Sequence, residues 1–144
     1  MKQSSPAVIL VIEDNPADIY LLRHALSQQG DDYLIRVLRD GEEALRFVNQ
    51  QRTVAEPEPC VIVLDLHLPK HDGKAVLEAI RSEPLLAHVQ VVCLTSLAVP
   101  RDEEEVRDLG VRLYKAKPTE LDDWMDLAAQ ILQICKDKTW AVFV

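Results

Sequence analysis

Hydrophobic positions along the chain follow two rhythms. Short runs rich in β-branched residues fall at Val8–Ile12, Tyr33–Leu38, Cys60–Leu64, Val89–Leu94 and Val111–Tyr114. Between and after them lie longer stretches, near 16–28, 41–51, 73–82, 101–109 and 120–136, whose apolar residues recur every three or four positions. The first rhythm predicts strands and the second amphipathic helices. Repeated strand–helix units predict an α/β fold, a five-stranded parallel sheet with five helices on both faces. Cys60–Leu64 reads Cys-Val-Ile-Val-Leu, the unbroken apolar run expected of a strand buried on both sides. Asn15 before Pro16 predicts a capped helix start. Thr119 with Asp122 predicts another. Gly30, Gly73 and Gly110 fall at helix boundaries, and Gln51–Pro59, with two prolines, reads as a long loop.

Composition narrows the class. A chain of 144 residues with 48% hydrophobic residues suffices for one domain with its own core. No stretch approaches the roughly 20 apolar residues of a membrane span, and the Met1–Pro6 start lacks the apolar core of a secretory leader. Sixteen Lys and Arg against 24 Asp and Glu give a net charge of −8, which argues against nucleic-acid and anionic-membrane partners. Cys60, Cys93 and Cys135 lie far apart with no C-x-x-C pair, so they are expected to be unpaired, buried structural residues in a reducing, cytoplasmic setting.

The candidate chemistry is positional. Glu13-Asp14 follows the first strand, Asp65 the third and Thr95-Ser96 the fourth, with Lys117-Pro118 beyond the fifth. Open parallel sheets bind ligands outside the carboxyl ends of their strands, and in the order 2-1-3-4-5 strands one and three flank that crevice. Three carboxylates there repel one another unless a cation joins them. An oxygen-only set with room for water suits Mg²⁺. Asp65 is then placed as a nucleophile toward a phosphoryl group, with Thr95 and Lys117 to hold its oxygens. Singly, each residue has a plainer reading as a helix-start acid, a turn hydroxyl or a surface charge.

Taken together these residues resemble the response-regulator receiver domains, the CheY-like family. The resemblance runs from Val8 to about Lys136. It rests on Glu13-Asp14, Asp65-Leu66-His67-Leu68-Pro69 with Asp72-Gly73, Leu94-Thr95-Ser96, Tyr114 and Lys117-Pro118. It implies that Asp65 accepts a phosphoryl group from a histidine kinase. Asp14 and Asp65 would bind Mg²⁺ directly, Glu13 through water, and His67 through its backbone carbonyl. Thr95 and Tyr114 would be the switch residues, and Lys117 would contact the phosphoryl group across a bond to Pro118 that is often cis in this family. Such a protein is a phosphoacceptor with at most self-dephosphorylation, rather than an enzyme.

Two positions depart from common family choices. His67 stands where Asn or another polar residue is frequent, and the apolar Leu97 lies two past Thr95, where it is expected to slow hydrolysis of the phosphoaspartate. His67 and His71 do not predict a transition-metal site, because Pro69 interrupts them and no third ligand is suitably spaced. A dehalogenase-type phosphatase, also built on an aspartyl nucleophile, needs an acid where His67 stands. A dinucleotide-binding oxidoreductase needs a glycine-rich turn that is missing. The remaining rival is a degenerate receiver that only binds another protein.

Residues 1–144 are thus read as one receiver domain, with a core of about 7–136 and an extension over 137–144. The Asp14-Asn15-Pro16-Ala17-Asp18 start, the long loop and the apolar tail resemble the stand-alone regulators of bacterial phytochromes. That implies a phytochrome kinase as partner. The last helix is wider in its apolar stripe than one buried face needs, and Trp140, Val142, Phe143 and Val144 end the chain. These residues predict a homodimer contact, the alternative being a tail folded back on its own domain.

Overall fold

In the computed structural model, which describes residues 6–30, 33–50 and 58–137, five strands and five helices alternate. They are β1 (Ala7–Ile12), α1 (Pro16–Ser27), β2 (Tyr33–Leu38), α2 (Gly41–Asn49), β3 (Val61–Asp65), α3 (Gly73–Ser82), β4 (Val91–Thr95), α4 (Pro100–Asp108), β5 (Leu113–Ala116) and α5 (Leu121–Lys136). All strand pairs are parallel, in the order β2-β1-β3-β4-β5. Both the fold class and the order agree with the reading of the sequence. Strand bounds differ by up to two residues. Val111, read as strand, serves the turn after α4, its N–H donating to the Val106 carbonyl, while the Arg112 N–H donates to the Val91 carbonyl of β4 just ahead of β5.

Side-chain alternation splits the core between the two faces of the sheet. Ile9, Val11, Val61, Val63, Val92 and Leu94 pack with α1 and α5 around Trp124 and Ile131. Leu10, Ile12, Ile62, Leu64, Val91 and Cys93 pack with Val76, Leu77, Ile80 and Val106 on the other side. The central strands β3 and β4 are buried throughout. α5 is broadly apolar for a reason internal to the domain. Trp124, Leu127, Ala128, Ile131, Leu132, Ile134 and Cys135 are all buried, so only Leu121, at 49% exposure, is left over from the stripe. Trp140, Val142, Phe143 and Val144, named for dimer contact, lie outside the described residues.

Three local expectations are settled at the helix ends and cysteines. Asn15 caps α1, its side-chain oxygen accepting from the N–H groups of Ala17 and Asp18. Thr119 does not cap α5; Glu120 holds that position without a side-chain cap bond. The cysteine reading is corrected: Cys60 and Cys135 form a disulfide, with Cα atoms 4.9 Å apart, and Cys93 alone is free and buried. Their 75-residue separation hid a contact that only the docking of α5 creates, at the end of β3 remote from Asp65. Polar ties secure the same corner. The Gln90 amide donates to the carbonyls of Ile134 and Asp137, and Arg112 pairs with the Asp137 carboxylate at 2.9 Å.

A cross-link closing a loop of that length restricts the unfolded chain. Reduction, or Cys135→Ser, is expected to lower the unfolding free energy by about 2–4 kcal/mol. Urea titrations with and without reductant check this, and coincident midpoints would show that the cross-link does not constrain the chain.

Candidate functional site

The site forms where β1 and β3 end. The Glu13 N–H donates to the Leu38 carbonyl at 2.9 Å, carrying β1 pairing one residue past the strand. Asp65 is the last residue of β3, in register with Leu94 of β4. Glu13 and Asp65 are buried, at 4% and 3% exposure, whereas Asp14 is exposed. Lys117 follows β5, and its N–H donates to the Thr95 carbonyl at 2.7 Å. Gly73 opens α3 against the Asp65 end of β3. A Cβ there would lie 2.5 Å from the Leu66 Cα and 2.8 Å from the Asp65 carbonyl oxygen, so no larger residue fits without displacing that backbone.

Electrostatics bind the site together. The Lys117 ammonium lies 2.9 Å from Glu13 Oε2, 2.8 Å from Asp18 Oδ2 and 3.0 Å from Asp65 Oδ2. Burial works against its charge, but the three carboxylates outweigh burial and raise its pKa. Glu13 is pushed up to about 7, first by burial and then by the neighbouring Asp65. Its Oε1 accepts from the N–H groups of Asp14 and Asn15, both at 3.1 Å. Asp65 Oδ1 accepts from the His67 N–H at 2.9 Å.

Glu13, Asp14 and Asp65 each offer a carboxylate oxygen, all within 4.8 Å of one another. This all-oxygen donor set fits a hard divalent cation such as Mg²⁺ or Mn²⁺, which takes carboxylates and completes its shell with water. An open cleft of about 540 Å³, lined by Asp14, His67, Lys70 and Asp72 among others, adjoins the acids and gives that water room. Lys70 in its wall has φ 72°, a left-handed conformation strained for a side chain. Its ammonium pairs with Asp40 and Glu42 at 3.4 and 3.3 Å.

Of the residues named from the sequence, Glu13, Asp14, Asp65 and Lys117 come together. Thr95 and Tyr114 are bonded elsewhere, to the β4–α4 loop. The fully buried Thr95 hydroxyl donates to the Leu97 carbonyl at 3.0 Å. The Tyr114 hydroxyl accepts from the Val99 N–H at 3.1 Å. Lys117–Pro118 is trans, correcting the expected cis bond, and no described residue has a cis peptide. The sequence reading missed Asp18. As the fourth residue of Asn15-Pro16-Ala17-Asp18 it looks like an ordinary helix-start acid, and only the fold brings it to Lys117, 99 residues away. It also missed Lys74, which spans from α3 to Asp102 Oδ1 at 2.6 Å and to Glu105 on α4.

Comparison with known proteins agrees with this arrangement. Residues 9–129 match the model of the response regulator receiver domain. The chain is 37% identical over 123 residues to response regulator Rcp1 of Synechocystis sp. (strain ATCC 27184 / PCC 6803 / Kazusa), spanning 85% of this chain and 84% of Rcp1. It is similar to the crystal structure of the phosphorylated cyanobacterial phytochrome response regulator RcpA, with a TM-score of 0.81, 32% identity, and coverage of 92% and 96% of the two chains. It is also similar to the Mn²⁺-bound form of Rcp1, with a TM-score of 0.80, 35% identity, and coverage of 92% and 96%.

The raised Glu13 carboxyl makes stability depend on pH in the metal-free protein. Below the ordinary value of 4.5 the group is protonated in both folded and unfolded chains, and above about 7 it is ionised in both. Between those values the folded state holds a proton that the unfolded chain releases, so the contribution of Glu13 to stability falls as pH rises. Glu13→Gln is therefore expected to gain stability relative to the parent across that window and to level off above it. Urea unfolding of both proteins in chelator at several pH values checks this; a flat difference would refute it.

Proposed function

The chain belongs to the response regulator receiver domain family, and from that premise we propose that it is a switch set by phosphorylation of Asp65. The observation that carries this reading is the convergence of Glu13, Asp14, Asp65 and Lys117 at the carboxyl end of β1 and β3. A phosphohistidine on a histidine kinase is the donor. An Asp65 carboxylate oxygen attacks phosphorus, the P–N bond breaks as the P–O bond forms, and the imidazole leaves. Lys117, tethered to the Thr95 carbonyl through its own N–H, holds a phosphoryl oxygen by a charge-assisted bond. Asp14 and Asp65 directly, Glu13 through water and the His67 carbonyl would hold Mg²⁺, which would supply positive charge to offset the phosphoryl oxygens.

The new group adds about −1.5 to −2 charges at neutral pH. The response passes to Thr95 and Tyr114, whose present bonds to Leu97 and Val99 tie them to the β4–α4 loop. Leu97, 68% exposed in that loop, is assigned to slow hydrolysis of the phosphoaspartate, as an apolar side chain two residues past Thr95. Beyond self-dephosphorylation the protein catalyses nothing on a separate substrate. Likeness to Rcp1 and to the phytochrome regulator RcpA supports a phytochrome-type histidine kinase as partner. A cytoplasmic setting follows from such a kinase. Trp140, Val142, Phe143 and Val144, in the 137–144 extension, are assigned to homodimer contact, with assembly as the output.

Native mass measured with Mg²⁺, before and after acetyl phosphate or beryllofluoride, tests the reading. Labelling at Asp65 and a shift in mass are expected, both absent in Asp65→Asn. Labelling at fixed mass would move the output to a separate partner protein. Absence of Asp65-dependent labelling would make the chain a degenerate receiver that serves only as a binding module.

A further inference from the structure

Asp18 is the one carboxylate on Lys117 that stands outside the metal-ligating set. Glu13, Asp14 and Asp65 offer oxygens to a cation; Asp18 does not join them, yet it makes the shortest of the three contacts to the ammonium, 2.8 Å. Its position in α1 would give it a plainer duty. Asn15 is the cap and Asp18 stands three residues on, where an acid usually reaches back to the N–H of the capping residue. Here that N–H is already taken, because Asn15 donates to Glu13 Oε1 at 3.1 Å. The Asp18 carboxylate turns away from its own helix start to a lysine on the β5–α5 loop. Both groups are largely shielded, with side-chain exposures of 13% for Lys117 and 19% for Asp18.

We propose that Asp18 is a positioning residue for Lys117, a counter-ion that shares the ammonium with Glu13 and Asp65 and can retain it when the metal claims those two carboxylates. This rests on the receiver reading above. An ammonium has three N–H donors, and in this structure three acids share them. When a divalent cation and a phosphoryl group claim Glu13 and Asp65, Asp18 alone of the three keeps its hold on Lys117. It thereby also competes with the phosphoryl oxygens for the same ammonium.

Two consequences have opposite signs. Without Asp18 the site loses a negative charge, and Lys117 falls back on the two acids the metal needs, so Mg²⁺ binds more weakly. Without Asp18 the incoming anionic phosphodonor meets less repulsion and a freer ammonium, so it is engaged more tightly once Mg²⁺ is saturating.

The test uses the full chain and its Asp18→Asn, Asp18→Glu and Lys117→Met variants. Mg²⁺ affinity is read by titration calorimetry. The acetyl phosphate concentration giving half-maximal Asp65 labelling is read at saturating Mg²⁺. Asp18→Asn is expected to weaken Mg²⁺ binding by about three- to tenfold and to lower that acetyl phosphate concentration by a similar factor. Asp18→Glu should restore both, and removing Asp18 in the Lys117→Met background should change Mg²⁺ affinity clearly less than it does in the parent, leaving only the effect of the lost charge. If both affinities fall together, or neither moves, or the effect on Mg²⁺ affinity is as large without Lys117, Asp18 does not act through Lys117 and the proposal is overturned. Failure of the parent chain to label at Asp65 would instead overturn the receiver reading, while the calorimetric arm would still decide the role of Asp18.

Discussion

A single, largely shielded cation among acids sets the terms for this structure. Lys117 stands within 3.0 Å of carboxylate oxygens from Glu13, Asp18 and Asp65. Burying Glu13 and Asp65 without a counter-ion is unfavourable, since isolated charges in a low-dielectric interior either find partners or neutralise. The metal-free fold uses both remedies. Lys117 supplies the partner, and the Glu13 carboxyl retains a proton to a higher pH than usual. A divalent ion at the same spot would supply the charge differently, so metal and lysine would compete for the Glu13 and Asp65 carboxylates. That competition is what a cluster of acids around one lysine is suited to regulate.

Sheet geometry places the cluster. In the order β2-β1-β3-β4-β5 the chain reverses its direction of growth between β1 and β3, leaving a crevice at their carboxyl ends. Four contributions reach it from separate elements: the end of β1, the first turn of α1, the end of β3 and the loop after β5. Close packing fixes their approach. Gly73 lets α3 start against the Leu66 and Asp65 backbone, and Gly41 does the same for α2, where a Cβ would lie 2.5 Å from that of His71. At the opposite end of the sheet the Cys60–Cys135 bond, Gln90 and Arg112 hold α5. The core is thus pinned below, and the crevice is formed by chain ends above.

Much of this was legible in the sequence because it depends on period and position. The apolar runs located every strand, and the polar residues that end those runs located Glu13, Asp14, Asp65 and Lys117. Contacts that arise only when distant elements dock were not legible. Asp18 carries no signal apart from Lys117, Cys60 none apart from Cys135, and Lys74 none apart from Asp102 and Glu105. The predicted Thr119 cap failed for a related reason. Its hydroxyl was judged on local spacing, whereas α5 begins one residue later than that spacing implied, with Glu120 as its capping residue. The width of the apolar stripe on α5 was read correctly, but burial of its residues against the sheet and α1 accounts for most of it.

Among the described helices, α4 is the one held with the least buried apolar surface. α4 buries one side chain, Val106, and has no side-chain cap at its start. By contrast α5 buries seven. What positions α4 is largely polar: Lys74 to Asp102 and Glu105, and the Tyr114 hydroxyl to Val99 just ahead of the helix. Inverting a two-state population from 1:99 to 99:1 requires about 5.5 kcal/mol of differential interaction. The neutral hydrogen bonds at Thr95 and Tyr114 and the charged pairs at Lys74 together approach that order, whereas repacking the α5 core would cost considerably more. On the proposed reading, a charge added at Asp65 would act where resistance is least. Thr95, which adjoins Lys117 by backbone and Leu97 by side chain, would offer a route to α4 that leaves the hydrophobic layers of the sheet undisturbed.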